Sequence, residues 1–230
     1  MNSSFTVIIA ALNEEEGIGF TLTELRDVLG DPFFLVVDGN SSDGTVEVAR
    51  GHKAQIVTQN GEKGKGSAIS QGLKYVKESG IDTDYAVFID ADYTYPAEYI
   101  PRMIEILQNN PTVGMVIGDR FDQAFNYRRA IGSSFYFGNR LLAQMHRILN
   151  GVNLHDPLSG LRVVRWEILK HWKPKSKSFD IEVELNFHVE KMGDSITEIP
   201  IQYRPRLGEK KLKLKHGFVI AKRIIDESLN

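Results

Sequence analysis

The sequence predicts an α/β fold in which a mostly parallel central sheet is flanked by helices on both faces. Three features predict it. Short apolar, β-branched runs take turns with amphipathic stretches through the first half of the chain. The runs are near-continuously apolar rather than alternating, as in strands buried on both faces. Polar clusters follow the runs at their carboxyl ends, where open α/β sheets bind ligands.

In chain order, Phe5–Ala11 reads as a strand, Glu15–Leu29 as a helix, Phe33–Asp38 as a strand and 44–50 as a helix. Gln55–Thr58 is the next strand, followed by a helix at 65–77, a strand at 85–90, a helix at 97–109 and a strand at 113–118. The clusters Asn13-Glu14, 38–43 and 90–94 follow three of these strands and are expected on one edge of the sheet. The second half is less regular. It has a basic, aromatic-rich segment at 120–136, a helix running to Asn150, and a polar stretch at 155–162. A helix at 180–192, a strand at 195–203, a basic loop at 204–215 and a last helix from about 218 complete it. With no internal repeat and no low-complexity linker, one domain over 1–230 is expected.

Composition narrows the function classes. A length of 230 residues with 42% hydrophobic and 25% charged residues suits one substantial core. A formal net charge of -2 argues against bulk nucleic-acid binding, which calls for a strongly basic balance. No Cys is present, so disulfides and thiolate metal sites are excluded and a reducing compartment fits. The start lacks a signal-peptide profile, and no apolar run approaches the ~18 to 20 residues that span a bilayer. A cytoplasmic chain, peripheral at the cytoplasmic face of a membrane, is the expectation; the helix-like end leaves a following membrane segment open.

Asp90-Ala91-Asp92 follows the apolar run 85–89, which sets two carboxylates where a buried strand emerges. Like charges so close call for a cation, and hard oxygen ligands favour Mg²⁺ or Mn²⁺ completed by substrate phosphate oxygens. The bland alternative is a solvated turn capping the helix after Pro96. In the 38–45 segment, Asp43 suits a helix cap, while Asp38 suits a ribose hydroxyl or a base N–H. Glu14 reads equally as a helix start. Gly64-Lys65-Gly66 precedes a helix as a phosphate loop does, yet it fits neither common template. Ser67 stands where a P-loop needs Lys, and Ile69 stands where a dinucleotide fold needs its third glycine. What remains is a lysine and backbone amides suited to phosphates.

In the second half Arg120, Arg128, Arg129, Arg162, Arg204, Arg206, Lys210 and Lys211 lie in predicted loops or at element ends, and as a group suggest an anionic acceptor. Phe121, Phe125, Tyr127, Phe135, Tyr136 and Phe137 lie among them. They suit a membrane interface or a buried core equally, and a nucleic-acid face less, because that would leave the first half unexplained. His155 and Asp156 read as an acid-base pair or as bystanders.

These motifs, in this order, resemble the family-2 glycosyltransferases, and within them the polyprenol-phosphate hexose synthases typified by dolichol-phosphate mannose synthase. The resemblance rests on 7–14, 36–45, Gly64-Lys65-Gly66 with Ala68, Asp90-Ala91-Asp92 followed by Pro96 and Glu98, Gly118-Asp119-Arg120, Arg129 with Ser133, 156–162 and 206–212. Ala10 stands where the family usually has Pro, Leu12 where it has Tyr, Lys210 where it has Ser, and Thr94 where the synthases commonly supply a third metal ligand, Gln. Either Arg204 or Arg206 is the counterpart of one family arginine.

The resemblance implies a GT-A fold, with 1–119 binding the nucleotide sugar and 120–230 the acceptor. It implies donor contacts from Ala10, Leu12, Asn13, Glu14, Asp38, Asn40, Lys65, Gly66, Asp90, Ala91, Asp92, Arg206 and Lys211. Asp90, Asp92 and Thr94 would hold Mn²⁺ or Mg²⁺. Asp92, Arg120 and Asp156 would be catalytic, and Arg129, Ser133, Arg162, Arg204 and Lys210 would hold an acceptor phosphate. The implied reaction is inverting transfer of a hexose, mannose from GDP-mannose ahead of glucose from UDP-glucose, to a polyprenyl or dolichyl phosphate. A phosphate acceptor is already anionic and needs no strong base, whereas a hydroxyl acceptor needs one, for which Asp156 is the obvious residue. A soluble acceptor and a non-catalytic nucleotide-sugar-binding module are the rival readings.

Overall fold

A computed structural model describes residues 4–121 and 134–229. Its centre is a seven-stranded sheet in the order β3-β2-β1-β4-β6-β5-β7. The strands are β1 (Phe5–Ala11), β2 (Phe33–Asp38), β3 (Gln55–Thr58), β4 (Tyr85–Phe88), β5 (Val113–Asp119), β6 (Arg162–Arg165) and β7 (Ser195–Pro200). All neighbours pair in parallel except β6, which runs antiparallel to both β4 and β5. The helices are α1 (Glu15–Leu29), α2 (Thr45–Gly51), α3 (Lys65–Glu78), α4 (Ile100–Asn109), α5 (Ser134–Asn150), α6 (Trp166–Leu169), α7 (Ile181–Lys191) and α8 (Leu214–Ser228).

The apolar runs of β1, β2 and β4 are continuous because each of these strands is covered on both faces. Val7 and Ile9 of β1, Val36 of β2 and Val87 of β4 pack with Ile18, Leu22 and Leu25 of α1 and Met103 and Leu107 of α4. Ile8, Leu35, Val37 and Phe88 point the other way, onto Leu73 and Val76 of α3 and Leu185 and Val189 of α7. A strand that alternated polar and apolar residues would expose one of these layers. A third apolar cluster joins Leu142 of α5, Val183 of α7 and Ile220 and Ile224 of α8.

Where expectation and structure differ, the cause is local. The strand predicted at 85–90 ends at Phe88, which frees Asp90 and Asp92 from the ladder. The helix at 97–109 begins as a 3₁₀ turn, Ala97–Tyr99. The strand predicted at 195–203 stops at Pro200, and the last helix begins at Leu214, four residues early. The structure adds β6 and α6. Arg-Val-Val-Arg is too short and too charged at its ends to read as a strand, and it is held by hydrogen-bonding neighbours on both sides.

Candidate active site

Because β1, β2 and β4 are parallel, their carboxyl ends open on one edge, and the loops after them interlock. Asn13, in the left-handed region at φ 50, accepts from Ser42 N at 2.8 Å through its side-chain oxygen. Glu14 N donates to Thr45 Oγ1 at 2.8 Å. Asp43 accepts from Thr45 N at 3.1 Å, but it lies one residue before Gly44, the N-cap of α2, and so supports the start of the helix without being its cap. Asp38, 2% exposed, accepts from Asn40 N and Ser41 N, and the Asn40 amide donates to Gln59 O. Asp38, Asn40 and Asn13, expected to touch the nucleotide, therefore hold the loops in shape.

The cleft they frame has a volume of about 930 Å³. Ala10, Leu12, Glu14, Lys65, Asp90, Ala91, Asp92, Arg206 and Lys211 line it, as do Arg120, Arg204 and Lys210. α1 comes close enough to support the Asp loop because Gly17 lacks a side chain: a Cβ there would lie 2.8 Å from Ala91 O. Thr21 Oγ1 then donates to Ala91 O and accepts from Tyr93 N, which fixes Tyr93 at φ 64, a left-handed conformation that aromatic residues rarely adopt.

The two aspartates have different surroundings. Burial pulls the Asp90 carboxyl upward, but Lys65 Nζ at 2.6 Å, with Arg120 and Arg206 further off, holds it below the ordinary value. Asp92 is raised, by burial first and by the charge of Asp90 second. Arg206 bridges Asp92 Oδ2, at 2.5 Å, and Glu14 Oε1. Glu14 is pushed up to about 7 because burial outweighs the attraction of Arg206 and Lys211. Its second oxygen and Arg206 Nε are buried with no partner among the described residues. Gly160 leaves room for the Asp90 carboxylate, since a Cβ there would lie 2.5 Å from Asp90 Oδ2.

This donor set fits a divalent cation that takes two carboxylates and completes its shell with substrate oxygens and water. The described residues contain no cluster of three or more acidic, His or Cys ligands. Thr94 is not positioned as a third ligand. It is fully buried, and its hydroxyl donates to Asp92 Oδ1 at 2.6 Å, so it orients the carboxylate.

Several basic residues have other tasks than those expected. Lys65 lies between Asp90 and Glu182, 2.6 and 2.7 Å from their oxygens, as a buried counterion rather than a free phosphate ligand. Gly66 N and Ser67 N donate to Ser178 O and Lys177 O, so these amides are not available to an anion. Gly64 at φ 125 allows the 177–178 backbone to approach that closely. Arg162 is 2% exposed and donates to the carbonyls of Ser159 and Pro157 and to Asn186 Oδ1, so it organises the chain before β6 rather than holding an acceptor phosphate. Arg204 is bidentate to Glu24 at 2.5 and 2.9 Å and lies over the Tyr93 ring. Its backbone N–H donates to Thr94 O, while Leu207 N donates to Asp92 O. Arg206 reaches the carboxylates of Asp92 and Glu14, and Arg204 anchors the loop that carries it.

Asp156 is fully buried, bidentate to Arg120 at 2.7 and 2.8 Å, and is no free base. It aims Arg120 into the cleft. Glu198 of β7 accepts from the backbone N–H groups of His155 and Asp156 at 2.7 Å each, and the His155 ring bonds Asp119 at 2.7 Å. Glu24, Glu182 and Glu198 were missed by sequence reasoning; the one signal was acidic residues inside otherwise apolar stretches. Arg128, Arg129, Ser133, Phe125 and Tyr127 lie outside the described residues. Of the remaining aromatic residues, Phe121 and Tyr136 stack edge-on with centroids 5.3 Å apart, and Phe137 is exposed.

A mostly parallel sheet with paired aspartates at the end of β4, a wide cleft beside them and a cationic loop crossing from the second half is the architecture of the GT-A glycosyltransferases. The chain belongs to glycosyl transferase family 2, whose model matches residues 6–172. It is 31% identical over 221 residues to a dolichyl-phosphate hexose transferase of Haloferax volcanii, covering 95% of this chain and 91% of that one. To an undecaprenyl-phosphate mannosyltransferase of Micrococcus luteus it is 29% identical over 231 residues, covering 95% and 90%. Among solved structures, glucosyl-3-phosphoglycerate synthase of Mycobacterium tuberculosis, crystallised with Mn²⁺, UDP and its product, shares the fold. That likeness has a TM-score of 0.73 at 22% identity and covers 99% of this chain and 79% of the other. The protein is a glycosyltransferase.

Proposed function

We propose that the protein transfers a hexose from a nucleotide sugar to a polyprenyl phosphate with inversion at the anomeric carbon, mannose from GDP-mannose ahead of glucose from UDP-glucose. The observation that carries this reading is the composition of the cleft. It runs from Asp90, Asp92, Arg120 and Arg206 to a wall formed by Leu142, Leu158, Phe179 and Ile220, and so suits an acceptor with an anionic head and an apolar tail. The names of the two relatives agree with it.

In this reading residues 1–119 bind the donor and 120–230 the acceptor. A Mn²⁺ or Mg²⁺ ion on Asp90 and Asp92 would neutralise the donor diphosphate. Arg206, between Asp92 and Glu14, is placed to follow the charge onto the leaving nucleoside diphosphate, and Lys211 lies beside it at 3.6 Å from Glu14. Arg120, held rigidly by Asp156, and Lys210 present positive charge to the acceptor phosphate. An anionic acceptor oxygen attacks without a base, which agrees with Asp156 being locked to Arg120. A soluble hydroxyl acceptor would need a base there.

With Mn²⁺, GDP-mannose and a polyprenyl phosphate, the purified protein is expected to move labelled sugar into the organic phase. GDP or UDP is expected to raise Tm further with Mn²⁺ than without it. No organic-soluble product from either donor, with no metal-enhanced shift, sinks the reading.

No helix among the described residues is long and apolar enough to cross a membrane. Contact with a bilayer instead suits the outer faces of α5 and α8. Leu141, Ile148 and Phe218 are 65%, 71% and 81% exposed there, among Arg140, Arg147, Lys215 and Lys222. Changing Ile148 and Phe218 together to Ser is expected to lower co-flotation with anionic vesicles about tenfold. Equal flotation of variant and wild type would exclude this face.

A further inference from the structure

Both oxygens of Asp92 are engaged by groups of the protein itself. Oδ1 accepts from the Thr94 hydroxyl at 2.6 Å and from Thr94 N at 3.2 Å. Oδ2 accepts from Arg206 Nη1 at 2.5 Å, and Nη2 of the same guanidinium goes to Glu14. A divalent cation on Asp90 and Asp92 therefore shares a carboxylate that already carries a positive charge. Like charges that close repel, and one of the two has to yield.

The surroundings decide which group on Asp92 gives way. Thr94 is fully buried and holds Oδ1 twice, so that oxygen is fixed. The Arg206 side chain is 23% exposed, lines the cleft and holds Oδ2 through one nitrogen. The backbone on either side of Arg206 is tied down independently. Arg204 N donates to Thr94 O at 2.9 Å, Leu207 N donates to Asp92 O at 3.2 Å, and the Arg204 guanidinium clamps Glu24. Further along the loop, Lys211 Nζ donates to Asn13 O at 2.8 Å. The Arg206 side chain is thus free to leave Asp92 while its loop stays on the site, and Glu14 gives the guanidinium a second anion to hold.

We propose that Arg206 is the site's own counterion, which the divalent cation displaces from Asp92, so that the cation binds weakly until a nucleoside diphosphate gives the guanidinium a new anion. The proposal rests on the cation-dependent donor site described under the proposed function, and adds that cation and diphosphate are coupled through this one side chain. Coupling of this kind is reciprocal, so each ligand tightens the other by the same factor. Before the ligands arrive, Arg206 neutralises Asp92 and Glu14. Once they are bound, the same charge is available to the diphosphate.

The test is titration with Mn²⁺ alone and with Mn²⁺ in the presence of GDP, read by the electron paramagnetic resonance signal of free Mn²⁺, on wild type, Arg206→Met and Lys211→Met. Titrations at about pH 8 keep the carboxylates ionised. In wild type, GDP is expected to tighten Mn²⁺ binding about tenfold or more. Arg206→Met is expected to bind Mn²⁺ alone about tenfold more tightly than wild type and to gain less from GDP. Lys211→Met removes the same charge from beside Glu14 without touching the Arg206 bond to Asp92, and is expected to change the affinity for Mn²⁺ alone by no more than about twofold. Should Arg206→Met not fold, Arg206→Gln, which keeps an N–H for Glu14, is expected to give the same tightening. Mn²⁺ affinity that is unchanged or weaker without Arg206 overturns the proposal, as does an equal gain in Lys211→Met, which would mean a general effect of charge. If no protein binds Mn²⁺ with or without GDP, the cation reading itself fails and takes the displacement with it.

Discussion

Asp92→Ala is expected to lower kcat about 10³-fold or more and to abolish the effect of Mn²⁺ on nucleotide binding. Asp92 is 4% exposed, carries Thr94 on one oxygen and Arg206 on the other, and so joins the β4 loop to the cationic loop of the second half. Its removal takes a charge from the proposed cation site and leaves Arg206 with Glu14 alone. Asp92→Asn keeps the shape and the bond from Thr94, so its Tm is expected to stay near wild type while its rate falls nearly as far. Steady-state kinetics over a Mn²⁺ titration provides the check. A kcat within tenfold of wild type at saturating metal would mean that the paired aspartates do not carry the chemistry.

Lys65→Ala is expected to cost about 3 kcal/mol of stability, a fall in Tm of roughly 6 to 12 °C, because it leaves Asp90 and Glu182 facing each other without a counterion. The ammonium lies 2.6 Å from one and 2.7 Å from the other, and its side chain is 16% exposed. Lys65→Met combined with Glu182→Gln removes one charge of each sign and is expected to recover a good part of the lost stability. The two possible roles of this lysine give opposite results. A phosphate ligand would raise the donor KM with Tm unchanged, whereas a buried counterion lowers Tm first. Calorimetry and donor kinetics on the single and double variants separate them, and an unchanged Tm for Lys65→Ala would restore the phosphate role.

The contrast between Asp92 and Lys65 shows how far the sequence could be read. The alternation of apolar runs and amphipathic stretches is a local pattern, and local patterns carry the elements: α1 and β1 to β3 fall where their residues predict. Parallel strands buried on both faces then bring the Asn13-Glu14, 38–43 and 90–94 clusters to one edge with no further information. Cationic side chains are different. Lys65, Arg162 and Arg204 read as phosphate ligands because unpaired charge in a loop suggests an anion, yet each is engaged inside the protein. The partner of Lys65 is 25 residues away, that of Arg204 180. A carboxylate that distant in the chain cannot be matched to its lysine or arginine from spacing, since the pairing is decided by which loops the sheet brings together.

The sequence by itself determined strands β1 to β5, the edge on which the site opens and the two aspartates at the end of β4, because hydrophobic periodicity and strand ends are properties of neighbouring residues. Only the tertiary structure decided that Arg206, not Arg204, meets Asp92, that Thr94 orients Asp92, and that Asp156 is locked to Arg120. Each of these depends on contacts between segments far apart in the chain, where burial and charge balance act on groups that no local pattern connects.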